Sequence, residues 1–220
     1  PAKLTKKELE EREDLRKIPI VTIDGEDAKD YDDAVWAEKT EHGYHIIVAI
    51  ADVAHYIKSG GALDEEALQR GNSTYFPGKV IPMLPERISN DLCSLLPQVD
   101  RPTLAVHMWI DLKGKLVKHR FVRAVIHSAA RLTYTQVQAA LEGTPDATTK
   151  PLLKTTLQPL YEAYKILISS RAQRGAIDLD VAEPYLHLND DGSLLQIGAR
   201  NRQDSHRLIE EMMILANVAA

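Results

Sequence analysis

The chain has 220 residues and a formal net charge of −5, with 27 Lys and Arg against 32 Asp and Glu. That length can bury a sizeable core, as one large domain or two small ones, and the acidity argues against a purely electrostatic nucleic-acid binder. A single cysteine, Cys93, excludes an internal disulfide and a cysteine-based zinc site, and suits a reducing cytoplasm. No apolar run approaches the ~20 residues that a membrane-spanning helix needs, and the first residues do not read as a signal peptide. The eight histidines include no His-Glu-x-x-His pair, so a histidine zinc site lacks support as well. There is no Gly-x-Gly-x-x-Gly, Walker lysine or Gly-x-Ser-x-Gly, which removes the usual basis for a nucleotide cofactor or a serine hydrolase.

Taken in order, Lys3 to Arg16 reads as a charged, peripheral helix opened by a Thr5-x-x-Glu8 capping box. An apolar run, Ile18-Pro19-Ile20-Val21, then leads into Ile23-Asp24-Gly25-Glu26-Asp27-Ala28-Lys29-Asp30-Tyr31-Asp32-Asp33. Six of the ten residues from Asp24 to Asp33 are acidic, and only Lys29 opposes them. Two carboxylates about 4 Å apart repel by roughly 4 kcal/mol at an effective dielectric near 20. A fold that converges them needs a cation or a proton to offset the repulsion. On extended backbone Asp30 and Asp32 share a face and Asp33 points the other way. Asp24 joins them only if the chain bends, which Gly25 permits. A solvated face is the commoner fate of a charge run. An EF-hand fails, because the required glycine is Val35. Short aspartates in a β-rich context favour a hard-cation site.

Tyr44 to Ala51 reads as a buried strand ending at Asp52, a possible further carboxylate of the cluster although a turn or cap role fits it better. Residues 63–70 suggest a short helix closed by Gly71. In Ser73-Thr74-Tyr75-Phe76-Pro77 two rings sit side by side, so one can lie in the core while the other projects as a stacking surface for a base, the plain alternative being that both are core. Pro102–Leu112 and Lys115–Ser128 predict an antiparallel hairpin about Lys113-Gly114. Thr133-x-x-Gln136 caps a helix to Leu141, residues 151–174 predict the longest helix, and Ala176–Ala199 predicts a second hairpin around Asp190-Asp191-Gly192. Ser205 to Ala220 is helical and increasingly apolar, with no stop signal, and the chain lacks an initiator Met; a piece of something longer is expected. The expected class is α+β: a mixed, largely antiparallel β-rich core with packed helices.

These stretches together resemble the RNB catalytic domain of the ribonuclease II/ribonuclease R family, nearer to ribonuclease R. The likeness runs through Val21 to Val35, Val48-Ala49-Ile50-Ala51-Asp52-Val53, Tyr75-Phe76-Pro77, Pro82-Met83-Leu84-Pro85, Ser89 to Leu95, Arg131-Leu132-Thr133-Tyr134 and Leu208-Ile209-Glu210-Glu211. It implies a Mg²⁺-dependent 3′→5′ exoribonuclease (Mn²⁺ a substitute) that releases nucleoside 5′-monophosphates from single-stranded RNA and is monomeric at full length. It further implies metal binding by Asp24, Asp30 and Asp33, with Asp32 positioning or deprotonating the attacking water. Tyr75 would stack on the 3′-terminal nucleotide, and Tyr134 and Glu210 would contact the ribose and read its 2′-OH.

Two departures qualify the resemblance. Leu179 stands where relatives carry a clamping Phe. The family's arginine-bearing segment is expected beyond Ala220, as are the flanking cold-shock and S1 domains. Residues 1–220 are thus expected to be the N-terminal part of such a catalytic domain, truncated at its C-terminus and weak or inactive alone. Two other readings are a non-catalytic RNA-binding or regulatory module derived from the nuclease, and a calcium-binding structural module.

Overall fold

The strand segments Val21-Thr22-Ile23, Val35-Trp36-Ala37 and Ile46-Ile47-Val48-Ala49 are apolar but for Thr22 and buried throughout, which suits strands covered on both faces. A computed structural model describes residues 4–76, 79–176, 183–189, 193–200 and 202–220. Its centre is a seven-stranded mixed sheet of β1 (Glu13–Asp14), β2 (Val21–Asp24), β3 (Asp33–Thr40), β4 (Gly43–Ala51), β7 (Asp100–Asp111), β8 (Leu116–His127) and β9 (Ala130–Thr133), in the order β1-β8-β7-β4-β3-β2-β9. The run β8-β7-β4-β3-β2 is antiparallel, whereas β1 on β8 and β9 on β2 are parallel. The expected hairpin at Lys113-Gly114 is therefore β7–β8. At the β3–β4 turn Gly43 has φ +154°, and a Cβ there would collide with the Ile110 carbonyl.

One sheet face packs Ile23, Val35, Ile46, Val48 and Met108 against α4 (Tyr134–Leu141), α5 (Gln158–Gln173) and α6 (Asp204–Ala219). The opposite face, with Ile20, Ala34, Trp36, Ile47 and Ala105, is covered by Leu15, Tyr31, Cys93 and Leu95. Those covering residues come from loops and irregular segments rather than long helices. Outside the sheet lie the short α1 (Lys6–Glu10), α2 (Val53–Tyr56) and α3 (Ala62–Arg70), a ribbon of β5 (Thr74–Phe76) and β6 (Lys79–Ile81), and a hairpin of β10 (Glu183–Leu188) and β11 (Leu194–Arg200). The turn expected at Asp190-Asp191-Gly192 lies outside the described residues. Among the described residues no helix is long and apolar enough to cross a membrane.

Several expectations need correction. The N-terminal helix keeps its Thr5–Glu8 capping box but stops at Glu10. Beyond it Arg12 is drawn inward, with Nη2 2.6 Å from Asp52 Oδ2 and Nη1 3.4 Å from the Thr103 and Ala124 carbonyls, so the chain turns into an edge strand instead. Asp52 takes the cap position that its turn or cap reading anticipates, at the N-terminus of α2, while its carboxylate is held in the buried ion pair with Arg12, apart from the acidic cluster. The long helix over 151–174 is also broken. A 3₁₀ turn (Lys150–Leu152) and a π turn (Leu153–Leu157) precede α5, because Pro159 has no N–H to bond the Thr155 carbonyl. Tyr75 and Phe76 do not divide between core and surface: they are 65% and 53% exposed, since β5–β6 is a ribbon of its own that the sheet does not cover.

Candidate active site

Four aspartates gather where β2 ends and β3 begins. Asp24 is the last residue of β2, Asp33 the first of β3, and the loop between them carries Asp30 and Asp32. Tyr31 divides that pair: its ring is buried on the loop-covered face of the sheet while its neighbours stay accessible. Parallel pairing then sets Asp24 opposite Thr133, the N-cap of α4, so the positive end of that helix starts beside the cluster. Glu26 and Asp27 sit in the same loop but are exposed.

The electrostatics record how closely the carboxylates face one another. Burial, followed by the charge of Asp30, raises the Asp24 carboxyl above its ordinary range. Asp32, at the open side of the cluster, is raised by partial desolvation and by Asp30 and Asp24. Asp33 is the most perturbed: burial and then Asp32 and Asp24 push it to about 7. Its Oδ2 is buried without a hydrogen-bond partner. A buried acceptor left unpaired among like charges is the environment a divalent cation relieves, and an all-oxygen donor set suits Mg²⁺ or Mn²⁺. Among the described residues no three His, Cys, Asp or Glu side chains close around a single point.

Three further residues singled out from sequence reach the same place. The Tyr75 hydroxyl donates to Asp30 Oδ2 at 3.0 Å and leaves its ring exposed. Tyr134, the first residue of α4, has its hydroxyl pushed well up by burial and then by Asp24, Asp33, Glu210 and Asp32, so it stands in the field of the whole cluster. Glu210 projects from α6 and accepts Arg202 Nε at 3.0 Å. Leu179 lies outside the described residues.

Other groups at the site had not been foreseen. Arg131, on β9, donates from Nη2 to the Glu26 carbonyl at 2.6 Å, lies 5.0 Å over the Tyr31 ring and is the cation that acts on Asp24. His206 stacks on Tyr134 with ring centroids 4.0 Å apart, and Arg202 pairs with Glu210. Arg131 lies in a stretch already marked by its resemblance, but its role depends on the β2–β9 pairing, which no local pattern announces.

Comparison with known proteins places this arrangement in context. A family model for the RNB domain matches residues 12–220. Ribonuclease R of Vibrio parahaemolyticus is 49% identical over 212 residues, which cover 95% of this chain and 25% of the relative. Ribonuclease R of Mycoplasma genitalium, solved in complex with ribose-methylated single-stranded RNA, superposes with a TM-score of 0.93 at 30% identity, over 98% of this chain and 34% of that one. Yeast Ssd1, described as a pseudonuclease, shares the fold at a TM-score of 0.75 and 19% identity, over 100% of this chain and 27% of that one. The chain thus spans about a quarter of the length of the Vibrio parahaemolyticus relative.

Proposed function

This chain belongs to the RNB domain family, and on that premise we propose that it carries the acidic half of a Mg²⁺-dependent 3′→5′ exoribonuclease acting on single-stranded RNA. The product is nucleoside 5′-monophosphate, and Mn²⁺ can replace Mg²⁺. Asp24, Asp30 and Asp33 hold the metal; Asp32, at the open side of the cluster, orients the attacking water and takes its proton. Metal bound there activates water and offsets charge on the leaving oxygen. The exposed Tyr75 ring stacks on the terminal base, while its hydroxyl fixes the Asp30 carboxylate. Tyr134 and Glu210 face the ribose, where contact with the 2′-OH separates RNA from DNA. The whole protein is read as a cytoplasmic monomer with single-stranded RNA as its partner and no membrane or nucleotide-cofactor requirement.

The observation that carries this reading is the convergence of all four aspartates with Tyr134 and Tyr75. Fold alone is a weaker argument, since a pseudonuclease has it too. The RNA held by the Mycoplasma genitalium relative supports the choice of substrate. The test compares 3′-labelled with 5′-labelled single-stranded RNA, with and without Mg²⁺, using this chain and its full-length protein. Mononucleotide released from the 3′-label at the outset is expected of the full-length protein, only with metal. Internal cleavage contradicts the assignment, and full turnover by Asp32→Asn takes Asp32 out of the chemistry.

A further inference from the structure

The loop between Asp24 and Asp33 carries Asp30 and Asp32 yet belongs to no strand, so bonds other than sheet ladders must fix its backbone. Around Asp30 one side chain does so from both directions. The Ser94 hydroxyl accepts from the Tyr31 amide at 3.2 Å and donates to the Lys29 carbonyl at 2.9 Å. Ser94 is fully buried. The neighbouring Leu95 amide adds a bond to the Tyr31 carbonyl at 2.7 Å. Ser94 is held in turn: Arg101 Nε donates to its carbonyl at 2.9 Å, while Arg101 Nη2 reaches Asp91 Oδ1 at 3.0 Å. Arg101 is buried on β7, in register with Ile126 of β8, so the brace runs from the sheet to the loop.

We propose that Ser94 is a positioning residue for the metal-binding aspartates: braced by Arg101, its hydroxyl fixes the backbone on both sides of Asp30 and so sets where the Asp30 and Asp32 carboxylates stand relative to Asp24 and Asp33. The inference rests on the metal-centre reading given above. A hydroxyl donates and accepts at once, which is what the two bonds to Lys29 and Tyr31 require. Alanine would leave a buried amide and a buried carbonyl unpaired, and the strandless loop would shift to re-solvate them. Mg²⁺ and Mn²⁺ sites depend on such placement, because Mg²⁺ in particular demands near-octahedral oxygens at about 2.1 Å. The Tyr75 hydroxyl restrains the Asp30 carboxylate from the solvent side, and Ser94 restrains its backbone from beneath.

The experiment is a Mn²⁺ titration of this chain, read by electron paramagnetic resonance without RNA, on wild type, Ser94→Ala, Ser94→Thr and Asp30→Asn. Removing an outer partner of a metal ligand weakens affinity by about 10–100-fold, and that is the loss expected of Ser94→Ala, together with a melting temperature lowered by a few degrees for the bonds it leaves unmade. Ser94→Thr keeps the hydroxyl and should restore most of the binding. Amide exchange at Tyr31 should quicken in Ser94→Ala before any metal is added, which separates a loosened loop from a lost ligand. Wild-type Mn²⁺ affinity in Ser94→Ala overturns the inference and leaves the metal centre standing. Mn²⁺ binding that Asp30→Asn does not weaken overturns both. If Ser94→Ala fails to fold, Ser94→Cys decides the matter, since its thiol is a weak donor and acceptor in the same place.

Discussion

Asp33→Asn should make the metal-free chain more stable while removing one of the proposed metal ligands. The Asp33 carboxyl is raised from 3.8 to about 7 by burial and by Asp32 and Asp24, and its Oδ2 has no partner. A carboxyl with a raised folded-state pKa binds more protons folded than unfolded between those two values, so stability falls as pH rises through that window. At about 1.4 kcal/mol per pKa unit, ionising Asp33 costs the fold about 4 kcal/mol at pH 8. Some of that cost is already incurred at pH 5, so the loss from pH 5 to pH 8 is about 2–3 kcal/mol. The raised Asp24 and Asp32 add to the same trend. The assay is urea unfolding of wild type and Asp33→Asn in EDTA at both pH values. Wild type should weaken markedly towards pH 8, and the variant should be the more stable there. Mg²⁺ added at pH 8 should stabilise wild type and leave Asp33→Asn almost unchanged. Equal wild-type stability at the two pH values, or a less stable variant at pH 8, would refute the electrostatic account of the cluster.

Three other outcomes follow from contacts described above. Asp52→Ala strands the buried Arg12 guanidinium and should destabilise the chain by about 3–5 kcal/mol in chemical denaturation, whereas an exposed ion pair would contribute far less. Gly43→Ala places a methyl group against the Ile110 carbonyl in a backbone conformation hostile to side chains; the β3–β4–β7 junction must move, with a loss of about 2 kcal/mol or more visible as a lower melting temperature. Tyr75→Ala in the full-length protein should weaken binding of a single-stranded RNA 3′ end by about 1–3 kcal/mol, measured by fluorescence anisotropy at fixed salt, while Tyr75→Phe retains most of the affinity.

The parts of the molecule that could be read in the sequence were those encoded in short, unbroken stretches. The acidic loop was one, because six carboxylates in ten residues demand an explanation before any fold is known. The Thr5 and Thr133 capping boxes were others, since each is complete within four residues. What escaped depended on contacts across the chain. Arg131 comes to the loop only because β9 lies parallel to β2, and Ser94, within a stretch that carries the family resemblance, bridges Lys29 and Tyr31 only once the fold sets its hydroxyl between them. Nothing local announces the buried partner of Asp52 either, since Arg12 is 40 residues away. The break before α5 could have been read from Pro159, but the apolar spacing through Leu153, Leu157 and Leu160 concealed it.

The parallel pairing of β2 with β9 also has a consequence in time. Asp24 and Thr133 are neighbours in space but roughly 110 residues apart in synthesis, which at ribosomal speed separates their emergence by about 5–20 s. For that interval the acidic loop exists without Arg131, without the start of α4 and without Tyr134. The groups proposed to hold metal and ribose therefore come together only after all of β9 and the start of α4 have been made.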